Sequence, residues 1–174
     1  MSQIQRLELA NLFRSFLAPE SVIDAPTSLA AYECDGLSAY RQTPLLVVLA
    51  ETIEQVQQIV RLCNEREIPV VSRGAGTSLS GGALPHADGI VLSLAKMNRI
   101  IKLDQLSRTA LVEPGVRNLA VSEAAKPFGL FYAPDPSSQI VCSIGGNVAE
   151  NAGGVHCLKY GLTLHNVLGV KLVT

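Results

Sequence analysis

The chain has 174 residues, of which 48% are hydrophobic and 17% charged, and its formal net charge is -1. That length suits one ordinary domain with a real core, and the composition excludes a disordered chain. No basic block occurs, so the long-range field that would gather nucleic acid or anionic lipid is missing, and any anion must be held locally.

Residues 2–17 read as an amphipathic helix, with Leu9, Leu12, Phe13, Phe16 and Leu17 at helical spacing and Pro19 as its stop. Arg6, Glu8 and Arg14 fall inside that pattern, so no signal peptide is evident, and no apolar run approaches the roughly 20 residues of a membrane span. A soluble cytoplasmic chain is expected. An irregular segment containing YECDGLSAYRQTP follows. PLLVVLA then predicts a short strand buried on both faces. Thr52 with Gln55 three residues on makes a capping-box pattern, and Ile53, Val56, Ile59, Val60 and Cys63 form the apolar stripe of the next helix. That helix ends before Pro69, where PVV begins a second strand. Strand, helix, strand in this order predicts a βαβ unit with parallel strands.

Near residue 90 the pattern is expected to change. GIVLSLAKMNRIIKL and TALVEPG read as strands, and the turn at 106–108 is short enough for an antiparallel pair. Residues 118–126 read as helical, a further short helix is expected to start near Ser143, and HNVLGVKLVT reads as a terminal strand. The expected organisation is an N-terminal helix and irregular segment at 1–42, then an α+β domain at 43–174 whose subdomains meet near residue 90. Cys34, Cys63, Cys142 and Cys157 form no C-x-x-C pair, which argues against zinc, iron–sulfur and thioredoxin-like sites and leaves unpaired thiols of a reducing compartment.

Two glycine-rich stretches concentrate the chemistry. In VVSRGAGTSLSGGALP, residues 70–85, no lysine is present for a P-loop. Leu79 holds the third glycine position of a dinucleotide turn, and a strand pattern follows instead of a helix. Two readings stay open: a flexible turn, or a nest of consecutive backbone N–H groups around an anion. In the nest, Gly74, Gly76, Gly81 and Gly82 would allow positive φ and close approach, and Thr77, Ser78 and Ser80 would add hydroxyls. The second stretch, PDPSSQIVCSIGGNVAENAGG, carries Gly145 with Gly146, Gly153 with Gly154, and Asn147 and Asn151 at i, i+4. On a helix starting at Ser143 the first pair would fall in the first turn, where orphan N–H groups point outward and a bare backbone accepts a planar ligand. Glycine there costs up to about 1 kcal/mol each relative to alanine, so either binding or close packing must compensate.

RGAGTSLSGGALP followed by APDPSSQIVCSIGGNVAENAGGVHCLKYG resembles the FAD-binding domain of the vanillyl-alcohol-oxidase type flavoproteins, and within them the FAD-linked D-subunits of bacterial glycolate oxidases. YECDGLSAYR, PLLVVLA and EPGVRNLAVSEA extend the likeness over nearly the whole chain. The resemblance implies two α+β subdomains holding FAD between them, with Gly74, Ala75, Gly76, Thr77, Ser78, Leu79 and Gly82 around the pyrophosphate. It implies that Pro134, Asp135, Ser138, Ser143, Gly145, Gly146, Asn147, Asn151, Gly153 and Gly154 line the rest of the cofactor, with Tyr160 and Gly161 as a weaker carry-over. Thr77 stands where some family members attach FAD through histidine, so non-covalent FAD is expected. His86, His156 and His165 lie outside the loop core and read as surface or core residues.

The implied reaction is oxidation of a small 2-hydroxy acid, glycolate or D-lactate. A base takes the hydroxyl proton and the Cα hydrogen passes to the flavin as hydride. Implied partners are the flavoprotein and iron–sulfur subunits of a glycolate oxidase complex, which would place the chain at the periphery of the inner membrane. Family members continue well beyond this length, so the second subdomain is expected to be incomplete at Thr174, and self-association through an unpaired strand edge is expected. No catalytic base is assigned; Arg41 and Tyr40 read as a surface pair. The alternatives are a binding module without turnover and a flavin reductase acting on a cell-wall nucleotide precursor.

Overall fold

A computed structural model describes residues 3–174. Ser2, the first residue of the expected opening helix, lies outside the described residues. The chain divides into two compact units, one running to Lys96 and including Leu172–Thr174, the other spanning Met97–Lys171.

In the first unit, α1 (Gln3–Arg14) buries Leu9, Ala10 and Phe13 on one face, and Leu17 follows in the turn that ends it. The segment expected to be irregular contains β1 (Val22–Ile23) and the one-turn helix α2 (Pro26–Leu29). Then come β2 (Leu46–Leu49), α3 (Ile53–Glu65), β3 (Val70–Arg73) and β4 (Ile90–Ser93). As expected, α3 starts where Thr52 Oγ1 accepts the Gln55 N–H at 3.3 Å, and the Gln55 side chain returns to the Glu51 N–H at 2.7 Å. Its stripe buries Ile59 and Cys63. The isolation of the Cys63 thiol from water raises its pKa to about 11.

The sheet order is β1-β2-β4-β3, with β2, β4 and β3 parallel and β1 antiparallel at the edge. Val47 and Val91 pack with Leu29 at its centre. One expectation is corrected here: residues 90–93 belong to this first sheet as its central strand and are separate from the strand that follows. All four residues of β4 are buried, as in an interior parallel strand covered on both faces.

In the second unit, β5 (Ile100–Asp104) and β6 (Thr109–Val112) form the expected antiparallel pair. Asp104 Oδ1 closes the turn by accepting the N–H groups of Leu106 at 3.1 Å and Ser107 at 3.0 Å. Helix α4 (Asn118–Ala125) ends in a 3-10 turn closed by Gly129 at φ 69°. Helices α5 (Ile144–Glu150), α6 (Cys157–Tyr160) and α7 (Thr163–Asn166) follow. The expected terminal strand is not formed: α7 occupies part of it, and residues 167–174 carry no regular structure. A strand exists only through hydrogen bonds to a neighbour, and among the described residues none pairs with this stretch; Leu168 and Leu172 stand 87% and 74% exposed. The architecture is α+β. No helix among the described residues is long and apolar enough to cross a membrane.

Candidate functional site

Because β2, β4 and β3 run parallel, their carboxyl ends share one edge, where ligands of open α/β sheets collect. The loop at 74–82 leaves β3 at that edge. Gly76 and Gly81 take φ of 70° and 75°, a region side chains disfavour. Ala75, Leu79 and Ser80 are exposed; Gly74, Gly76, Thr77 and Ser78 are half-buried; Gly82 is exposed. Among the described residues, none of the five backbone N–H groups of 75–79 donates to a protein atom. Ser78 Oγ is turned into the loop, accepting the Ser80 N–H at 3.1 Å.

The segment holding Tyr32 to Leu37 braces this loop from beneath. Arg73 Nη1 donates to the Cys34 carbonyl at 2.8 Å, and its guanidinium lies 5.6 Å from the centre of the Tyr32 ring. A β-carbon on Gly76 would overlap that guanidinium. Asp35, only 6% exposed, accepts from the Leu37 N–H at 2.9 Å and from the Ala83 N–H at 3.5 Å. A β-carbon on Gly36 would stand 2.7 Å from the Ser78 carbonyl oxygen, so the brace and the loop meet backbone to backbone. Sequence alone gives no role to Asp35, inside YECDGLSAYR, or to Arg73, at the entrance of the loop. The one local signal was the Asp-Gly pair, since residues some forty positions apart show no periodicity. Arg41 is paired with Glu33, and Tyr40 is 61% exposed.

The start of α5 has the opposite character. Helix α5 starts at Ser143 as expected, and the Ser143 Oγ caps it by accepting the Gly146 N–H at 3.3 Å. The other first-turn N–H groups are not orphans: Ile144 donates to Val116 O and Gly145 to Pro114 O, both at 2.8 Å. The cause is the neighbouring segment, which bridges Arg117 to Ser143 and lays its carbonyls alongside. Gly145 packs on Pro114, whose Cβ would be 2.7 Å from an added methyl. Asn147, 3% exposed, accepts at Oδ1 from Asn118 Nδ2 at 2.8 Å and donates from Nδ2 to Cys142 Sγ at 3.2 Å. Asn118 Nδ2 also donates to the Pro134 carbonyl at 2.9 Å, joining α4, α5 and the PDPSS segment in one buried network. Asn118 was not singled out from sequence, since an asparagine in a helix gives no sign of what lies across from it.

Asn151 ends α5 in the left-handed region at φ 49°, and its Oδ1 accepts the Leu164 N–H at 3.0 Å. Gly153 packs against Leu162, and the backbone of Gly154 lies on the Asp135 carbonyl with no room for a β-carbon. The Asp135 carboxylate accepts from His156 twice, from Nδ1 at 2.6 Å and from the backbone N–H at 3.2 Å. Burial pushes the Asp135 carboxyl up, but these bonds outweigh it and leave its pKa below the usual carboxylate range. The Ser138 carbonyl accepts from Val141 and Cys142, each at 2.8 Å. Tyr160 stacks edge-on against Phe131 with centroids 5.8 Å apart, and Gly161 has φ 80°. His86 and His165 accept local N–H groups at Nδ1, from Asp88 and Leu162, both at 3.1 Å. Among the described residues no group of three or more His, Cys, Asp or Glu side chains suits a metal ion.

The profile of the FAD binding domain family matches residues 44–174. Over all 174 residues the chain is 52% identical to glycolate oxidase subunit GlcD of Escherichia coli (strain K12), covering 35% of that protein. It is 36% identical over 158 residues to a D-lactate dehydrogenase of Anaerostipes hadrus, covering 90% of this chain and 33% of that one. The chain thus spans about a third of the length of these relatives. Among solved structures, p-cresol methylhydroxylase with substrate bound superposes at TM-score 0.72 and 28% identity, over 87% of this chain and 30% of the other. An alkyldihydroxyacetonephosphate synthase superposes at TM-score 0.80 over 90% of this chain and 31% of its own, and at 20% identity it speaks for the fold alone.

Proposed function

We propose, from the premise that this chain belongs to the FAD binding domain family, that it is the cofactor-holding part of a flavoenzyme oxidising a small 2-hydroxy acid, glycolate or D-lactate. The observation that carries this reading is the run of five unengaged N–H groups at 75–79, held open over the Arg73 guanidinium at the carboxyl edge of a parallel sheet. Such a run fits a diphosphate, whose oxygens need several converging donors and no acceptors.

In this proposal Gly74, Ala75, Gly76, Thr77, Ser78, Leu79 and Gly82 hold the pyrophosphate of FAD. Pro134, Asp135, Ser138, Ser143, Gly145, Gly146, Asn147, Asn151, Gly153 and Gly154 supply a wall along the remainder of the cofactor, acting mainly through shape because the side chains of Asp135, Ser143, Asn147 and Asn151 are engaged by neighbouring protein groups. The hydroxyl of Thr77 forms no histidyl bond, so FAD is held without a covalent link. When bound, FAD supplies the two-electron redox chemistry, and these residues bind it, orient it and exclude water. The names of the relatives support the substrate class: a glycolate oxidase subunit and a D-lactate dehydrogenase. That the first of these is a subunit supports a multi-subunit glycolate oxidase complex; we propose a second flavoprotein subunit and an iron–sulfur subunit as the partners within it, and through them a place at the periphery of the inner membrane.

The test is reconstitution. Purified chain incubated with FAD and desalted is expected to stay yellow, and Gly76→Trp is expected to abolish that retention. Retention by Gly76→Trp equal to that of the unaltered chain would overturn the assignment of the loop. Bleaching on addition of glycolate or D-lactate supports turnover by this chain itself, whereas colour without bleaching assigns it cofactor binding alone.

A further inference from the structure

We infer that Arg73 is the charged positioning residue of the loop, supplying the cation that makes the nest selective for a diphosphate over an uncharged ligand. This rests on the reading of the loop as a diphosphate site and extends it to a side chain. Arg73 is the last residue of β3, so its backbone is fixed by the sheet while its side chain runs beneath the loop that follows. Its guanidinium occupies the space a Gly76 β-carbon would need, with Nε 2.9 Å from that position. It is half-buried, rests over Tyr32, and spends one donor on the Cys34 carbonyl at 2.8 Å. Among the described residues no carboxylate pairs with it.

A guanidinium has five N–H donors and keeps its charge at all working pH values. An unpaired, partly desolvated cation directly under a run of open N–H groups adds a field that favours dianions and is screened by salt. The same contact sets Gly76 against substitution, since a β-carbon there would displace the cation. Anchoring by Tyr32 and Cys34 keeps the charge in place before a ligand arrives.

The experiment measures binding of ADP, which carries the diphosphate, and of adenosine, which lacks it, to the 174-residue chain by calorimetry at several salt concentrations. The unaltered chain is expected to bind ADP with an affinity that falls as salt rises. Arg73→Gln is expected to weaken ADP binding about tenfold and to flatten its salt dependence, with adenosine binding unmoved. Arg73→Lys keeps the charge but loses the planar fork, so it is expected to retain the salt dependence at intermediate affinity. If Arg73→Gln does not fold, the 15Nε resonance of Arg73 in the unaltered chain decides: a shift with ADP and none with adenosine supports the inference, and no shift with ADP overturns it. An Arg73→Gln chain with undiminished salt dependence overturns the role of Arg73 and leaves the loop reading intact. Failure of the unaltered chain to bind ADP overturns both.

Discussion

The two glycine-rich stretches look alike in sequence and differ in what their bare backbones are for. At 74–82 the amides of 75–79 are unengaged and Gly76, at φ 70°, admits the Arg73 guanidinium beneath them, so the missing side chain serves an opening floored by a cation. At 143–154 the amides at the start of α5 are bonded and Gly154 lies on a carbonyl, so the missing side chain serves contact. Glycine is thus a demand for proximity, and only the neighbours reveal whether the thing brought near is a ligand or the protein itself.

The sharpest way to break this contrast is a methyl at each position. Gly154→Ala forces a β-carbon into the Asp135 carbonyl, which cannot move without dislodging the PDPSS segment, and is expected to cost about 3 kcal/mol or more in chemical denaturation without any ligand present. A second variant in the same unit, Asn118→Leu, leaves the Pro134 carbonyl and Asn147 Oδ1 without their donor. A loss of about 2–3 kcal/mol by the same measurement is expected.

Gly76→Ala should reverse the balance. The positive φ costs about 1–2 kcal/mol of stability, and eviction of the Arg73 guanidinium is expected to lower FAD retention far more than the denaturation midpoint. Should Gly154→Ala leave stability unchanged, or Gly76→Ala leave FAD retention unchanged, the division between packing and opening fails. The smallest expected effect is a pH dependence in the second unit. Glu113, with a side chain 8% exposed, is held below the usual carboxylate range by hydrogen bonds from Arg99, which outweigh the burial that raises it. Because its folded pKa lies under the ordinary 4.5, its stabilisation is present above that pH and is lost as pH falls through the lower folded value. Denaturation midpoints across the acid range should fall less steeply for Glu113→Gln.

What was legible in the sequence followed from local rules. The Thr52 cap, the stripe through Ile59 and Cys63, the hairpin closed at Asp104 and the start of α5 near Ser143 all depend on residues within a turn or two of each other. The failures share a cause. GIVLS reads together with the strand after it because nothing in it shows that it inserts between β2 and β3. β1 has two residues and no periodicity to display. The terminal apolar run alternates like a strand but has no hydrogen-bonding neighbour among the described residues. The same holds at the candidate site: the loop announced itself by composition, while Asp35, Arg73 and Asn118 act on partners 48, 39 and 29 residues away in the chain.

One feature of the first sheet reaches further. β3 and β4 are parallel neighbours, yet residues 74–89 join them without a helix, so a single strip of chain both forms the loop at the carboxyl edge and climbs back down the height of the sheet. That strip works as a ruler. Its far end is pinned where the Leu45 N–H bonds the Gly89 carbonyl and the Ile90 N–H bonds the Pro69 carbonyl, each at 2.9 Å, so residues removed from the descent would be drawn out of the loop above. Spare length belongs at His86, Ala87 and Asp88, exposed at the foot, where added residues can bulge into water without tugging on Gly76.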